Sequence, residues 1–211
     1  KDFLGSFWIN PRHHPEFGAA WLAWLMVWTG YGLGTGGFLF LYLQQVVGYE
    51  ALFAGHAVKE GVSYIQILAT AGGVPLVMLA AVLSDRFKQR KVFVMSGVTL
   101  MMTRMVMQIV SSNWTVVAIA GTLSGIGFSV FYSLGLTMIT QILPSSSSRG
   151  KDMGVINIAS TFPQIIMPGI GAAVLGLFAA TSPVGFQILF IAGFLFLAAG
   201  LGMMRRIRSV R

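Results

Sequence analysis

The residues with chemistry to offer are few, and they fall into three groups. Leu83-Ser84-Asp85-Arg86-Phe87-Lys88-Gln89-Arg90-Lys91 packs four cations and one carboxylate into nine residues of a chain that is only 9% charged. A carboxylate at the C-terminal end of a helix opposes the helix dipole, so Asp85 needs a cation such as Arg86 or Arg90 to compensate it. Such a cluster can latch one arrangement of two helix bundles; the plainer reading is a positive loop that only fixes orientation. The second group is Asn157, Thr161, Gln164 and Pro168, whose spacing places them on one face of a helix. Uncharged hydrogen-bonding groups beside a proline-broken backbone suit a water-lined path for a neutral polar solute, and equally suit hydrogen bonds between helices. The third is Trp24, Trp28, Tyr31, Thr35, Phe38 and Tyr42, which predicts one aromatic helix face with polar tips. That face is either a packing stripe or a wall for ligand stacking.

Apolar runs must position these groups. The chain has 211 residues, is 55% hydrophobic and has a mean hydropathy of +0.78. A soluble domain keeps roughly 25% charged residues, so this chain cannot clothe itself in a water-compatible surface. Its net charge of +8 sits in the gaps between apolar runs, which reads as a topology signal and not as a nucleic-acid patch. Cysteine is absent, which excludes disulfides and thiolate metal sites. His13 and His14 are adjacent and have no third ligand nearby, so neither a metal nor a cofactor is expected. No nucleophile elbow, H-E-x-x-H helix or phosphate-cradling glycine loop occurs, and an enzyme is not expected.

The pattern predicts an all-α membrane protein. A polar lead-in, 1–15, precedes a bundle over 16–211 with spans at about 17–47, 61–83, 92–110, 114–143, 153–180 and 184–204. The first run is too long for a straight crossing of a hydrocarbon core roughly 30 Å thick. Its glycines from Gly30 to Gly37 predict a bend. On the expected topology, 12 of the 14 cations lie on one side, which places both termini in the cytoplasm and the chain in the cell membrane. Gly121, Gly125, Ser129 and Tyr132 share a face of the fourth span, where small residues allow close helix contact. Arg104 lies inside the third span near its outer end, so its side chain is expected to reach the headgroups; a gating or substrate role is the alternative. No Asp or Glu falls inside a span. The chain starts at Lys1 with no signal-peptide pattern, and it is expected to continue a longer one.

The basic stretch resembles the loop signature G-x-L-x-D-R-x-G-R-R/K of the major facilitator superfamily. Ala81 stands at its first glycine, Lys88 at its second and Gln89 at an arginine. Gly154 to Pro168 is similar to the corresponding helix of glycoside and sucrose carriers, and Asn10 to Phe17 to the central-loop exit of bacterial members. The resemblance implies the C-terminal six-helix half of a twelve-helix carrier, built as two inverted three-helix repeats. It implies that the first, second, fourth and fifth spans line a cavity and that Arg104 sits on a peripheral helix. The substrate pathway would then comprise Trp28, Tyr31, Thr35, Tyr132, Asn157, Thr161 and Gln164, and the cytoplasmic latch Asp85, Arg86 and Arg90. The implied function is secondary active transport of a small polar organic solute, a sugar or glycoside, by alternating access. A drug-type exporter is one alternative. A non-transporting six-helix interaction protein or homodimeric half-carrier is another. The implied partners are the bilayer, a small-molecule substrate and an N-terminal six-helix half, in the same chain or a second subunit. With no carboxylate in a span, any coupling group would lie elsewhere, or transport would be uncoupled.

Overall fold

A computed structural model describes residues 15–142, 149–179 and 182–207, and every regular element in it is helical. Residues 1–14, with His13 and His14, and the linker 143–148 lie outside the described residues. The elements are α1 (Pro15–Gly32), α2 (Gly36–Tyr42), a π-helical turn (Leu43–Val47), α3 (Tyr49–Leu52), α4 (Val58–Phe87), α5 (Arg90–Val110), α6 (Trp114–Ile142), α7 (Arg149–Gly176) and α8 (Pro183–Arg206). Five of them, α4 to α8, are long and apolar enough to cross a membrane.

The stretch expected as a single first span is not one helix. It stops at Gly32, restarts at Gly36 and passes into the π-helical turn at Leu43. Gly36 has φ of +56°, which glycine adopts without the steric cost that a Cβ imposes. Elsewhere the helix starts are fixed locally. The Asn113 side chain accepts from the Thr115 amide at 2.9 Å to open α6. Ser182 accepts from the Val184 amide at α8, whose first residue is Pro183, a placement that uses no donor the helix needs.

Glycines set how closely the helices approach. A methyl built on Gly97 of α5 would lie 2.5 Å from the Gly127 carbonyl oxygen of α6, and one on Gly30 of α1 would lie 2.7 Å from the Gly193 carbonyl of α8. Both helix pairs run antiparallel. In α6, Gly121, Gly125 and Ser129 meet Ile65, Ala69 and Gly73 of α4 in ascending order, so these two run parallel. The Trp21 indole donates to the Val155 carbonyl at 2.8 Å, and Phe38 of α2 covers Gly171, so the broken first segment runs parallel to α7. Contacts between α5 and α8 join the halves, and Met101, Met105, Phe131, Phe190 and Leu197 fill the centre. The two flanking helices stay largely uncovered: 17% of the apolar stretch of α4 and of α7 is buried, against 39–44% in α5, α6 and α8.

The turn between α4 and α5 carries one strained residue. Lys88 closes α4 with φ +53° and ψ +38°, its amide donating to the Ser84 carbonyl. It is the only non-glycine with positive φ among the described residues, and it stands where the signature has glycine. A left-handed L-residue costs about 1–2 kcal/mol. Lys88→Gly is therefore expected to stabilise the protein by about 1 kcal/mol, read as a higher unfolding temperature in detergent. An unchanged or lower value would show that Lys88 is not strained.

Candidate functional site: a cleft at the break in the first helix

The break in the first segment opens a cleft of about 470 Å³ against α7. Trp28, Tyr31, Gly32, Thr35, Gly36 and Phe38 line one wall, and Pro163, Gln164, Met167 and Pro168 the other. Each wall is a place where helical backbone pairing is interrupted, by glycines on one side and by prolines on the other. Around the break the amides of Gly34 and Thr35 turn to the carbonyls three residues back, Tyr31 and Gly32, at 3.2 and 3.3 Å. Without water in hydrocarbon, such irregular backbone is tolerated only where protein buries it or it lines a cavity.

The aromatic wall is held from behind. Tyr31 stacks on Phe128 of α6 with ring centroids 4.1 Å apart and planes 9° from parallel. Trp28 meets Phe128 edge-on at 5.0 Å. Its indole Nε1 is buried without an acceptor, a donor left for a ligand or a bound water. On the facing wall Gln164 is exposed, as is Thr161 on the same helix outside the wall, and both bond within that helix: Gln164 Nε2 donates to the Ser160 carbonyl and Thr161 Oγ1 to that of Asn157, each at 2.9 Å. Asn157 is exposed on the same stripe. None of the three makes a described hydrogen bond to another helix.

The structure thus gathers Trp28, Tyr31, Thr35 and Gln164 in one cleft. Asn157 and Thr161 lie along α7 towards its start, outside the lining, and Tyr132 stands behind it, 6.1 Å from Trp28. The aromatic face expected from Trp24 to Tyr42 continues across the break through Trp28, Tyr31, Thr35 and Phe38, but its two ends leave the cleft. Trp24 is buried against Phe131, while Tyr42 packs on Phe186 and Phe190 and donates to the Gln108 carbonyl. The sequence reading did not single out Phe128, whose spacing of four from Tyr132 was the available signal, or Met167 as residues of the site.

At the basic end, Asp85 takes both Nε and Nη2 of Arg90 on one oxygen, at 3.0 and 2.7 Å. Arg86 has no described ion pair. The pair is largely exposed, so it contributes little to stability, on the order of 0.5 kcal/mol. The stronger tie there was not foreseen: Lys91 Nζ donates to the carbonyls of Arg205 and Ile207, capping the end of α8 from the start of α5. Arg104 also departs from expectation. It does not reach the headgroups: it is 1% exposed, and its Nε donates to Gln108 Oε1 at 2.8 Å. Gly34 packs chiefly on the Met105 side chain, 2.8 Å from a methyl built there, with the guanidinium carbon of Arg104 at contact distance beyond it, 3.4 Å.

A family model described as Major Facilitator Superfamily matches residues 56–210. The chain belongs to that superfamily. Its members are transporters, which agrees with membrane-crossing helices around a cleft built from broken backbone. No curated protein matched the chain. The match includes α4 to α8 and the basic turn, while the glycine-broken segment that builds half of the cleft lies before it.

The geometry of the break yields a clean test. Nothing lies within 4 Å of a methyl built on Gly36 or on Gly37, but only Gly36 has positive φ. Gly36→Ala is expected to destabilise the protein by about 1 kcal/mol and Gly37→Ala hardly at all, compared by thermal unfolding. Equal effects would remove the left-handed turn from the account of the break.

Proposed function

We propose that this chain forms one six-helix half of a secondary transporter that moves a small polar organic solute by alternating access. The observation that carries the reading is the cleft itself: aromatic faces at Trp28 and Tyr31 across from the polar tip of Gln164, between two interrupted helices. A ring-bearing solute with hydroxyls, such as a sugar or glycoside, presents an apolar face to stack and edge groups to bond, and both have counterparts here. The second reading, export of amphipathic drugs, is favoured by Phe38, Leu41 and Met167 in the same lining.

The packing supports two inverted three-helix repeats, with the broken first segment, α4 and α5 as one and α6, α7 and α8 as the other. Exchanging the repeats turns the α1–α8 pair into α6–α5 and the α1–α7 pair into α6–α4. The glycine contact Gly30–Gly193 becomes Gly127–Gly97. The uncovered faces of α4 and α7 then belong against a second half, supplied by the same chain or another subunit. The basic end, with Asp85, Arg90 and Lys91, is assigned to the cytoplasm of a cell membrane by its positive charge.

Uptake by the full-length protein in vesicles, against a panel of sugars, glycosides and cationic dyes, tests the reading. Gln164→Leu and Trp28→Ala are each expected to raise KM about 5-fold or more, the loss of roughly 1 kcal/mol of binding. Unchanged KM in both would remove the cleft from the solute path. Asp85→Asn is expected to slow transport at least several-fold with substrate affinity kept. Wild-type rates would leave the Asp85–Arg90 pair as a topology signal alone.

A further inference from the structure

Arg104 is the largest fully buried side chain among the described residues, and its charge is not neutralised there. Its only described hydrogen bond is the one from Nε to Gln108 Oε1; Nη2 is buried with no acceptor. Gln108 compounds the problem, because with its oxygen used its amide Nε2 is also a buried donor with no acceptor. The two described ion pairs, Asp85–Arg90 and His56–Glu60, lie elsewhere. A buried cation persists when something negative compensates it, and buried donors in native proteins are almost always satisfied.

The surroundings narrow what that partner is. Arg104 and Gln108 are one helical turn apart on α5, so their donors converge. Gly34 lies against the guanidinium beside the flexible Met105 side chain, and the next residue, Thr35, lines the cleft. A glycine of a poorly paired segment and a methionine therefore stand between the cation and the cleft. Tyr31, another lining residue, lies within electrostatic range of the same guanidinium. The guanidinium is 1% exposed and lies against the break at Gly34, so a carboxylate from a second half is poorly placed to reach it. What remains is an acceptor small enough to enter through the break.

We propose that Arg104 and Gln108 form a buried site for a small monovalent anionic group, entered from the cleft through the break at Gly34. The anion accepts from Arg104 Nη2 and Gln108 Nε2. It is a free anion, a halide or a small carboxylate, that completes the fold around the break. The site stands whichever solute crosses, so its failure and that of the sugar reading are separable.

Purified full-length protein is unfolded thermally in detergent at constant ionic strength. Chloride is titrated against a bulky organic sulfonate that cannot enter, and acetate and lactate are titrated in the same way. Saturable stabilisation of about 5 °C or more is expected from chloride or from the carboxylates. A response to chloride alone identifies a halide site, and a response to the carboxylates alone identifies a site for a small carboxylate. Arg104→Gln is expected to abolish the response. Gln108→Leu, which keeps the charge and removes one donor, is expected to raise the midpoint concentration about 10-fold and covers the case in which Arg104→Gln does not fold. A wild-type protein indifferent to chloride, acetate and lactate overturns the proposal, as does a response that survives intact in both variants.

Discussion

In a hydrocarbon medium every backbone amide must find its partner inside the protein, and the segment from Leu33 to Thr35 departs from the regular helical pattern. The rest of the structure answers to that departure. Tyr31 is held by stacking on Phe128, Phe38 is seated on Gly171, and the facing helix carries its own interruptions at Pro163 and Pro168. The cleft results because two weakened stretches of backbone face one another and neither offers the continuous ridge needed to fill the space between them.

Around this weak centre stands a tightly packed frame. Apolar burial does not drive helices together in lipid as it does in water, so close approach and dispersion must do more of the holding. Gly97 against Gly127 and Gly30 against Gly193 bring helix backbones into direct contact, and any side chain at these positions would push them apart. The frame is unequal. Helices α5, α6 and α8 are well covered, whereas α4 and α7 each leave most of their apolar length open. On α4 and α7 the close glycine contacts, Gly72 with Ile126 and Gly171 with Phe38, are made to side chains on the inner face, and the opposite face is left free.

Much of this was legible in the residues. Hydropathy alone separated the long helices, because their ends coincide with charges, with Ser111-Ser112-Asn113 and with Pro183. The glycine run pointed to a bend, and proline and glutamine at spacings of three and four pointed to the polar stripe on α7. Other features have no one-dimensional signal. Spacing placed Tyr42 on the face of Trp28, but a break rotates what lies beyond it by an amount the residue types do not encode, and Tyr42 turns to Phe186 and Phe190. Arg104 looked able to reach an interface by its distance from the helix end. In the folded bundle it is buried and turns along its own helix to Gln108, a direction that distance from the helix end does not encode. Arg86 and Arg90 were equivalent partners for Asp85 on paper; the left-handed turn at Lys88 brings the second one round.

Lys91 carries a consequence for how the protein is made. Its ammonium group closes the last turn of α8 by holding carbonyls 114 and 116 residues further along the chain. During synthesis that ammonium emerges long before its partners exist. The clasp can shut only when α8 has been threaded and has returned to the start of α5. It therefore fastens after the helices between have formed, and without the carbonyls of Arg205 and Ile207 those helices would stay but the bundle would be unbuttoned at the basic end.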